Sequence, residues 1–183
     1  MSLTRYAVTG TSVFPTPKPT GDRLNDMRAR MRAYQDCVSV INRSLMGLTD
    51  VGEITTGAAP TGADVEAFYL ALAIHPRVRH RVIVPVDCPH AELLVRIAKN
   101  KGCETIEVPG KPPKGYMDRN DLLVEHCDVL LSYPKTPDEE LRSGTWATVR
   151  RARKAAREIR VFPVTGYVVP GHLPLQPMSV ENG

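Results

Sequence analysis

The sequence lacks the short motifs that identify the best-known ligand sites. Its 183 residues contain neither the G-x-G-x-x-G pattern nor the G-x-x-x-x-G-K-S/T pattern of phosphate-binding loops. Its four cysteines form no C-x-x-C pair, the usual spacing of a structural zinc site. Aromatic residues make up 5% of the chain, so a platform for stacking single-stranded nucleic acid is not evident. A ligand site must therefore be found from residue chemistry and from position in the fold.

Long apolar runs are also missing. No stretch approaches the roughly 20 apolar residues that a transmembrane helix needs, and residues 1–5 lack the charged and apolar pattern of a signal peptide. We therefore expect a cytoplasmic protein that does not bind a membrane. The composition is that of a globular protein, with 42% hydrophobic and 24% charged residues, and the net charge of +4 weakly favours anionic ligands.

The cysteines are expected to be reduced thiols in that compartment. Cys88 lies in the run Asp87-Cys88-Pro89-His90 and Cys127 follows His126, but neither arrangement has the paired spacing of a zinc site, so no metal is predicted. Cys127 precedes a buried strand and is expected to be core. A Cys–His nucleophile pair stays open, although no third residue can be assigned to orient it.

Strand and helix patterns alternate along the chain. Strands are predicted at residues 5–9, 53–56, 81–86, 104–108, 128–133 and 160–164. Helices are predicted at 63–74, 90–100, 116–126 and 144–158. A further helix, between a cap at Asp22 or Asn25 and a stop at Gly47, is predicted from an apolar stripe that consists of Met27, Met31, Tyr34, Val38, Ile41 and Leu45. The alternation predicts an α/β fold, a Rossmann-like, doubly wound and mostly parallel sheet with helices on both faces, over residues 1–165. Residues 166–183, rich in proline and glycine, are predicted to be a tail.

Small and hydroxylated residues follow three of the predicted strands. Glycine lets a phosphate approach the backbone, and the N–H groups at a helix start attract anions. In open parallel sheets the ligand crevice lies outside the carboxyl ends of the strands. Each cluster alone is also compatible with an ordinary turn and helix cap, but together they favour an anion site. The clusters are Gly10-Thr11-Ser12 after the first strand, Gly57, Ala58, Gly62 and Asp64 after the second, and Ser143-Gly144-Thr145 after the fifth.

These residues carry a resemblance to a known family. The segment TTGAAPTGADVEA, residues 55–67, resembles the S-G-G-A-x-G-x-D-x-x-A segment of the SLOG superfamily, which groups the DNA-processing protein A family with the Lonely Guy phosphoribohydrolases. Asp118-Arg119-Asn120, then CDVLLSY, then SGTWAT are similar to the DNA-processing pattern of R-N, a hydrophobic strand and S-G-S-x-x-T. The ordered set runs from about Tyr6 to Val164. The resemblance implies a Rossmann-like fold that binds a nucleotide or a nucleotide-derived ligand and forms dimers or larger oligomers.

The matching positions imply roles within that crevice. In the hydrolase members the phosphate loop reads P-G-G-x-G-T-x-x-E, and its glutamate acts in cleaving the N-glycosidic bond; here Thr148 stands at that place. A nucleotide-binding or nucleotide-sensing protein is therefore the first hypothesis, with an N-glycosidic-bond enzyme and a DNA-binding accessory protein as alternatives. No cofactor other than the nucleotide ligand is predicted. The matched residues are Gly57, Ala58, Gly62 and Asp64 in the second-strand loop, Arg119 and Asn120 facing the crevice, and Ser143, Gly144, Thr145 and Thr148 in the phosphate loop.

Two of these side chains have simpler interpretations. Arg119 could form a surface ion pair with an acid of its own helix, Asp118, Asp121 or Glu125. In the simpler interpretation Asp64 is a first-turn acid that complements the helix dipole and has no other role. In the functional interpretation it contacts a ribose.

Three further features have two interpretations each. A basic run in the last predicted helix is either a solvated face or a contact for nucleic-acid phosphates, with Trp146, Val149 and Ala156 as the inward side. The loop with Pro15, Pro17 and Pro19 is either a lid or a plain connection. The apolar stripe of the first helix either covers the sheet or supplies part of a homo-oligomer interface. The basic run consists of Arg150, Arg151, Arg153, Lys154, Arg157 and Arg160.

Overall fold

A computed structural model of the protein describes residues 3–57, 59, 61–87, 90–111, 113–165 and 178–179. Ala58, Cys88, Pro89 and most of the predicted tail lie outside the described residues. The described strands are β1 (Thr4–Gly10), β2 (Val51–Gly57), β3 (Arg79–Pro85), β4 (Glu104–Val108), β5 (Val129–Tyr133), β6 (Glu158–Val161) and β7 (Met178–Ser179). The described helices are α1 (Arg23–Met46), α2 (Ala63–Ile74), α3 (Ala91–Asn100), α4 (Lys114–Glu125) and α5 (Gly144–Lys154).

The strands form one sheet in the order β4-β3-β2-β1-β5-β6-β7. The first six are parallel, and β7 pairs with β6 in the antiparallel direction. This topology confirms the predicted Rossmann-like α/β fold. Since the chain builds outward from β1 to β4 and then returns to place β5 on the other side of β1, the strand order reverses between β1 and β5. We call the carboxyl ends of the strands around this reversal the switch-point edge, where open sheets of this kind hold ligands.

Helices cover both faces of the sheet. On one face α1 and α2 pack over Val8, Ile54 and Leu131, and α3 packs beside them over β3. On the other face α4 and α5 pack over Ala7 and Leu130. Because successive strand residues point to opposite faces, neighbours such as Leu130 and Leu131 are both buried, which explains the continuous apolar strands. No helix in the described part of the chain is long and apolar enough to span a membrane.

The first helix begins where the sequence indicates but buries a different line of side chains. The Asp22 carboxylate accepts hydrogen bonds from the first-turn N–H groups, as an N-cap does. The buried residues recur every fourth position from Ala33 to Leu45, whereas Met27 and Met31 are each 56% exposed. At 100° per residue, Met31 lies on the opposite side of the helix from Ala33. The interpretation that the whole stripe from Met27 to Leu45 covers the sheet is therefore wrong for its first half.

The end of the last helix was also predicted wrongly. It stops at Lys154 instead of residue 158, and β6 ends at Val161 instead of residue 164. Ala156 adopts a left-handed conformation with φ 53° and is exposed, although the sequence placed it on the inward side. The Arg157 N–H bonds to the Ala152 carbonyl, as in a Schellman termination. That position usually holds glycine, so an alanine there gave no signal of the helix end.

Candidate functional site

The backbone ties together the three segments that lead away from β1, β2 and β5. The Thr11 N–H donates to the carbonyl of Tyr133 at 3.0 Å, and the Thr11 carbonyl accepts from the N–H of Ala63 at 2.8 Å. The Ser12 carbonyl accepts from the Thr61 hydroxyl at 2.8 Å. The loop after β1 is thereby fixed between the end of β5 and the start of α2, and the predicted clusters share the switch-point edge.

Gly10 and Gly62 serve the packing of this loop. A Cβ on Gly10 would overlap the Cβ of Ala63, so the glycine lets α2 approach β1. Gly62 has φ +81°, and a Cβ there would overlap the carbonyl of Thr11. Both glycines are explained without a ligand, which supports the turn-and-cap interpretation for them.

Arg119 crosses from one side of the sheet to the other at the end of β2. It belongs to α4, and its guanidinium lies against Gly57, where a Cβ would come within 3.1 Å of the Cζ atom. Nε and Nη2 donate to the Asn120 side-chain oxygen at 3.2 and 2.9 Å. Nη1 lies 3.7 Å from Oδ2 of Asp64, which begins α2 on the opposite face. Arg119 is only 9% exposed, so it is a buried residue and not the surface residue of the simpler interpretation.

Asp64 is more deeply buried than Arg119. Its exposed fraction is 1%, and burial raises the pKa of its carboxyl group to about 7. The charge of Arg119 and a hydrogen bond from the Gly10 N–H oppose this rise in pKa without cancelling it. The Oδ1 atom has no hydrogen-bond partner among the described residues. Asp64 is therefore inaccessible in the conformation described, and its ribose contact stays a prediction.

The space beside Asp64 is small. A cavity of about 20 Å³ is bounded by Thr56, Gly57 and Asp64 and by apolar side chains of α2, β3 and α3. That volume holds about one water-sized group. A nucleobase therefore does not fit between α2 and α3 without movement of these helices.

The start of α5 combines free backbone donors with open space. The Ser143 hydroxyl accepts from the N–H of Trp146 at 3.3 Å, and the Ser143 carbonyl accepts from the N–H of Ala147. The N–H groups of Gly144 and Thr145 precede the first residue that can pair within the helix, and no described acceptor bonds to them. Unlike the other site glycines, Gly144 has no heavy atom within 4 Å of a Cβ built on it. Packing does not require this glycine, and a ligand can approach it.

A positively charged cleft adjoins the start of α5. Its volume is about 470 Å³. Arg150 and Arg151 are held by Glu139 and Asp121, respectively, whereas no acidic partner in the described residues neutralises Arg142 or Lys154. The charge of Arg142 lies beside the positive end of the helix dipole and favours an anion there, whereas Lys154 lies at the other end of α5. The lining residues are Met117, Leu141, Arg142, Ser143, Gly144, Ala147, Arg150, Arg151 and Lys154.

The position of the hydrolase glutamate holds a buried hydroxyl. Thr148 is completely buried, donates to the Gly144 carbonyl at 3.1 Å and lies 3.5 Å from the Thr9 hydroxyl. It makes ordinary structural hydrogen bonds. This turn of α5 therefore supplies no carboxylate to the cleft.

Apart from the loop residues Gly10, Thr11, Ser12 and Gly62, the described site residues fall into two groups along the switch-point edge. Arg119, Asn120, Asp64 and Gly57 form one group, and the start of α5 forms the other. No contact between the two groups is found in the described ranges. By strand spacing the ends of β2 and β5 are two strands apart, about 10 Å. The sequence could not reveal the pair of Asp64 and Arg119, because the residues are far apart in the chain and on opposite faces of the sheet.

The basic run of α5 is largely paired with acids. Arg150 and Arg153 both bond to Glu139, at 3.1 and 3.2 Å. Arg160 bonds to Glu158 at 2.7 Å. Such pairs are typical of a solvated face, so the paired arginines favour that interpretation of the run.

The proline-rich loop is anchored at both ends. The ring of Phe14 packs edge-on against Tyr34 of α1, with centroids 5.8 Å apart. The hydroxyl of Thr20 donates to Asp26 at 2.8 Å. These contacts favour a fixed connection over a lid.

The side chains of Cys37, Cys103 and Cys127 are all buried. Burial raises the pKa of the Cys127 thiol to about 11, so a nucleophilic thiolate is not populated at neutral pH. The adjacent His126 instead contacts Arg81 through Nδ1 at 3.2 Å. In the described ranges no three His, Cys, Asp or Glu side chains are grouped to hold a metal.

A larger cleft lies at the opposite edge of the sheet. It has a volume of about 680 Å³ and is formed near the amino ends of β3 and β4, by residues that include Tyr69, Arg79 and Lys101. None of the described side chains that line it has a buried polar atom without a partner. Position and chemistry therefore both favour the switch-point edge as the candidate site.

No family model, curated protein or solved structure matches the chain.

Proposed function

We propose that the protein binds a nucleotide or a nucleotide-derived ligand at the switch-point edge, as members of the SLOG superfamily do. The observation that carries the proposal is the start of α5, where the Gly144 and Thr145 amides have no acceptor among the described residues and Gly144 borders an open cleft. Helix starts of this kind bind phosphate through the N–H groups and the helix dipole. Gly144 differs here from Gly10 and Gly62, which packing explains.

Arg119 is the second part of the proposed site. Its guanidinium lies at the same edge, beside Gly57 at the end of β2, and within the described part of the chain its hydrogen bonds go to the neutral side chain of Asn120. A swing of this long side chain toward α5 brings a full positive charge to a phosphate there. Charge-assisted contacts of this kind contribute about 1.5–3 kcal/mol, so Arg119→Ala should weaken phosphate binding roughly ten- to hundred-fold.

We propose binding without efficient cleavage of the N-glycosidic bond. Thr148 replaces the glutamate of the Lonely Guy loop and is buried against Gly144 and Thr9. A buried threonine cannot supply the acid–base chemistry of a carboxylate. The enzyme alternative therefore requires a carboxylate from elsewhere, and the paired arginines of α5 give the DNA-binding alternative no specific support.

The proposal is tested by a thermal-shift screen of nucleotides, with mass spectrometry of any small molecule that copurifies. A ligand present at about 100 times its dissociation constant should add about 2.7 kcal/mol to the stability of the fold. Chromatography after long incubation should show intact nucleotide. Release of free base that depends on Arg119 would favour the enzyme, and failure of every nucleotide to stabilise the protein would contradict the proposal.

A further inference from the structure

We propose that Asp64 is a positioning residue for Arg119, and that an anionic ligand at the switch-point edge draws the guanidinium away from Asp64, whose carboxyl group then takes up a proton. The inference rests on the proposed function and adds that ligand binding is coupled to protonation.

The pair is close but not hydrogen-bonded. Nη1 of Arg119 lies 3.7 Å from Oδ2 of Asp64, beyond the usual 2.7–3.2 Å of an N–H···O bond. Oδ1 of Asp64 has no partner in the described part of the chain. Both groups are thus desolvated without full hydrogen bonding, which makes a buried ion pair weak. A phosphate or sulfate that accepts two N–H bonds is a better partner for the guanidinium.

The surroundings of Asp64 contain little other charge. β1 supplies the Gly10 N–H, β2 supplies Thr56 and Gly57, and α3 presents apolar side chains. On its own helix, Glu66 is turned toward the Tyr34 hydroxyl of α1 at 2.7 Å. Among the described residues Arg119, from α4, is the charged group that acts on Asp64.

Loss of Arg119 from this position leaves the carboxylate buried beside no positive charge. The rise in the pKa of Asp64 caused by burial is then opposed only by the hydrogen bond from the Gly10 N–H, so the neutral form of the acid is favoured. The pKa of Asp64 is already raised to about 7 with Arg119 in place, so the proton is exchanged near neutral pH. Ligand affinity should therefore fall as pH rises above about 7, by up to about tenfold per pH unit, and level off below it.

Sulfate is a suitable probe because its charge is constant over this range of pH. Trp146 is the only tryptophan of the chain and lies in the first turn of α5, so its fluorescence can report anion binding. Sulfate would be titrated between pH 6 and 9 at constant ionic strength. The dissociation constant of the wild type should rise with pH above about 7, whereas Asp64→Asn should bind at every pH as the wild type does at pH 6. Arg119→Ala should bind weakly at every pH.

Glu66→Gln is the matched control, since it removes a negative charge from the same helical turn but away from Arg119. It should keep the pH dependence of the wild type. If Asp64→Asn does not fold, calorimetry of the wild type in two buffers of different ionisation enthalpy gives the same information. Uptake should approach one proton per bound sulfate at about pH 8.

The outcomes separate this inference from the proposed function. Saturable sulfate binding with a flat pH profile and no proton uptake would contradict the coupling alone. A slope that persists in Asp64→Asn would assign the proton to another group and overturn the role of Asp64. Binding of nucleoside monophosphates without sulfate would also overturn it, because the anion itself is placed on Arg119. Failure of both kinds of ligand to bind would contradict the proposed function as well.

Discussion

The guanidinium of Arg119 lies over Gly57, so close that a Cβ at residue 57 would come within 3.1 Å of its Cζ atom. Through this gap an arginine of α4 reaches Asp64 at the start of α2, across the end of the sheet. The glycine that ends β2 thus admits an arginine of the chain itself, whereas the sequence suggested that it admits a phosphate. A ligand at this edge of the sheet would compete with Asp64 for Arg119.

Gly57→Ala should lower the free energy of unfolding by about 1 kcal/mol. The new Cβ must displace the guanidinium, and overpacking costs about 1–3 kcal/mol, here at the lower end because a side chain can move. Gly144→Ala is the control, since its Cβ meets no heavy atom within 4 Å. It should be neutral or slightly stabilising. Urea unfolding of both variants measures the difference, and equal effects would contradict the close contact.

Asp64→Asn should change the pH dependence of stability. The folded protein holds the Asp64 proton up to about pH 7, whereas the unfolded chain loses it near the ordinary value of 3.8. The native state therefore binds more protons between these values, and stability falls as pH rises through this window, by up to about 1.4 kcal/mol per unit. Above about pH 7 the loss is complete. The asparagine variant lacks this dependence.

Urea unfolding at pH 5, 6, 7 and 8 tests this prediction. The wild type should lose stability relative to Asp64→Asn between pH 5 and 7, and the difference should change little from 7 to 8. A difference that is constant across the series would show that Asp64 titrates at its ordinary pKa.

The sequence predicted the layers of this fold well because strand and helix periods are local signals. The strand β5 and the helix α2 lie where the patterns indicated. The predicted end of α5 was wrong because Ala156 takes a left-handed conformation that glycine usually signals. The sequence did not predict the contact between Asp64 and Arg119. The strand order brings these residues of α2 and α4 together, and no local pattern encodes that contact.

The exposed half of α1 should form a contact between two copies of the chain. Met27 and Met31 are both largely exposed, and Leu24 and Tyr34 continue the apolar surface. Exposed apolar patches commonly mark interfaces. Light scattering at micromolar concentration should show a dimer for the wild type and a monomer for the double variant Met27→Glu, Met31→Glu. Met46→Glu, 64% exposed at the other end of α1, should stay dimeric. A monomeric wild type would exclude this interface.

The central claim is a phosphate site at the start of α5, and calorimetry with matched pairs of nucleosides and their 5′-monophosphates tests it most directly. The phosphorylated member should bind at least about tenfold tighter, since it alone accepts from the Gly144 and Thr145 amides and from Arg119. Gly144→Asp should abolish that preference by placing a carboxylate against the phosphate, whereas Gly144→Ala should keep it. Equal affinity of the wild type for nucleoside and nucleotide would contradict the phosphate site.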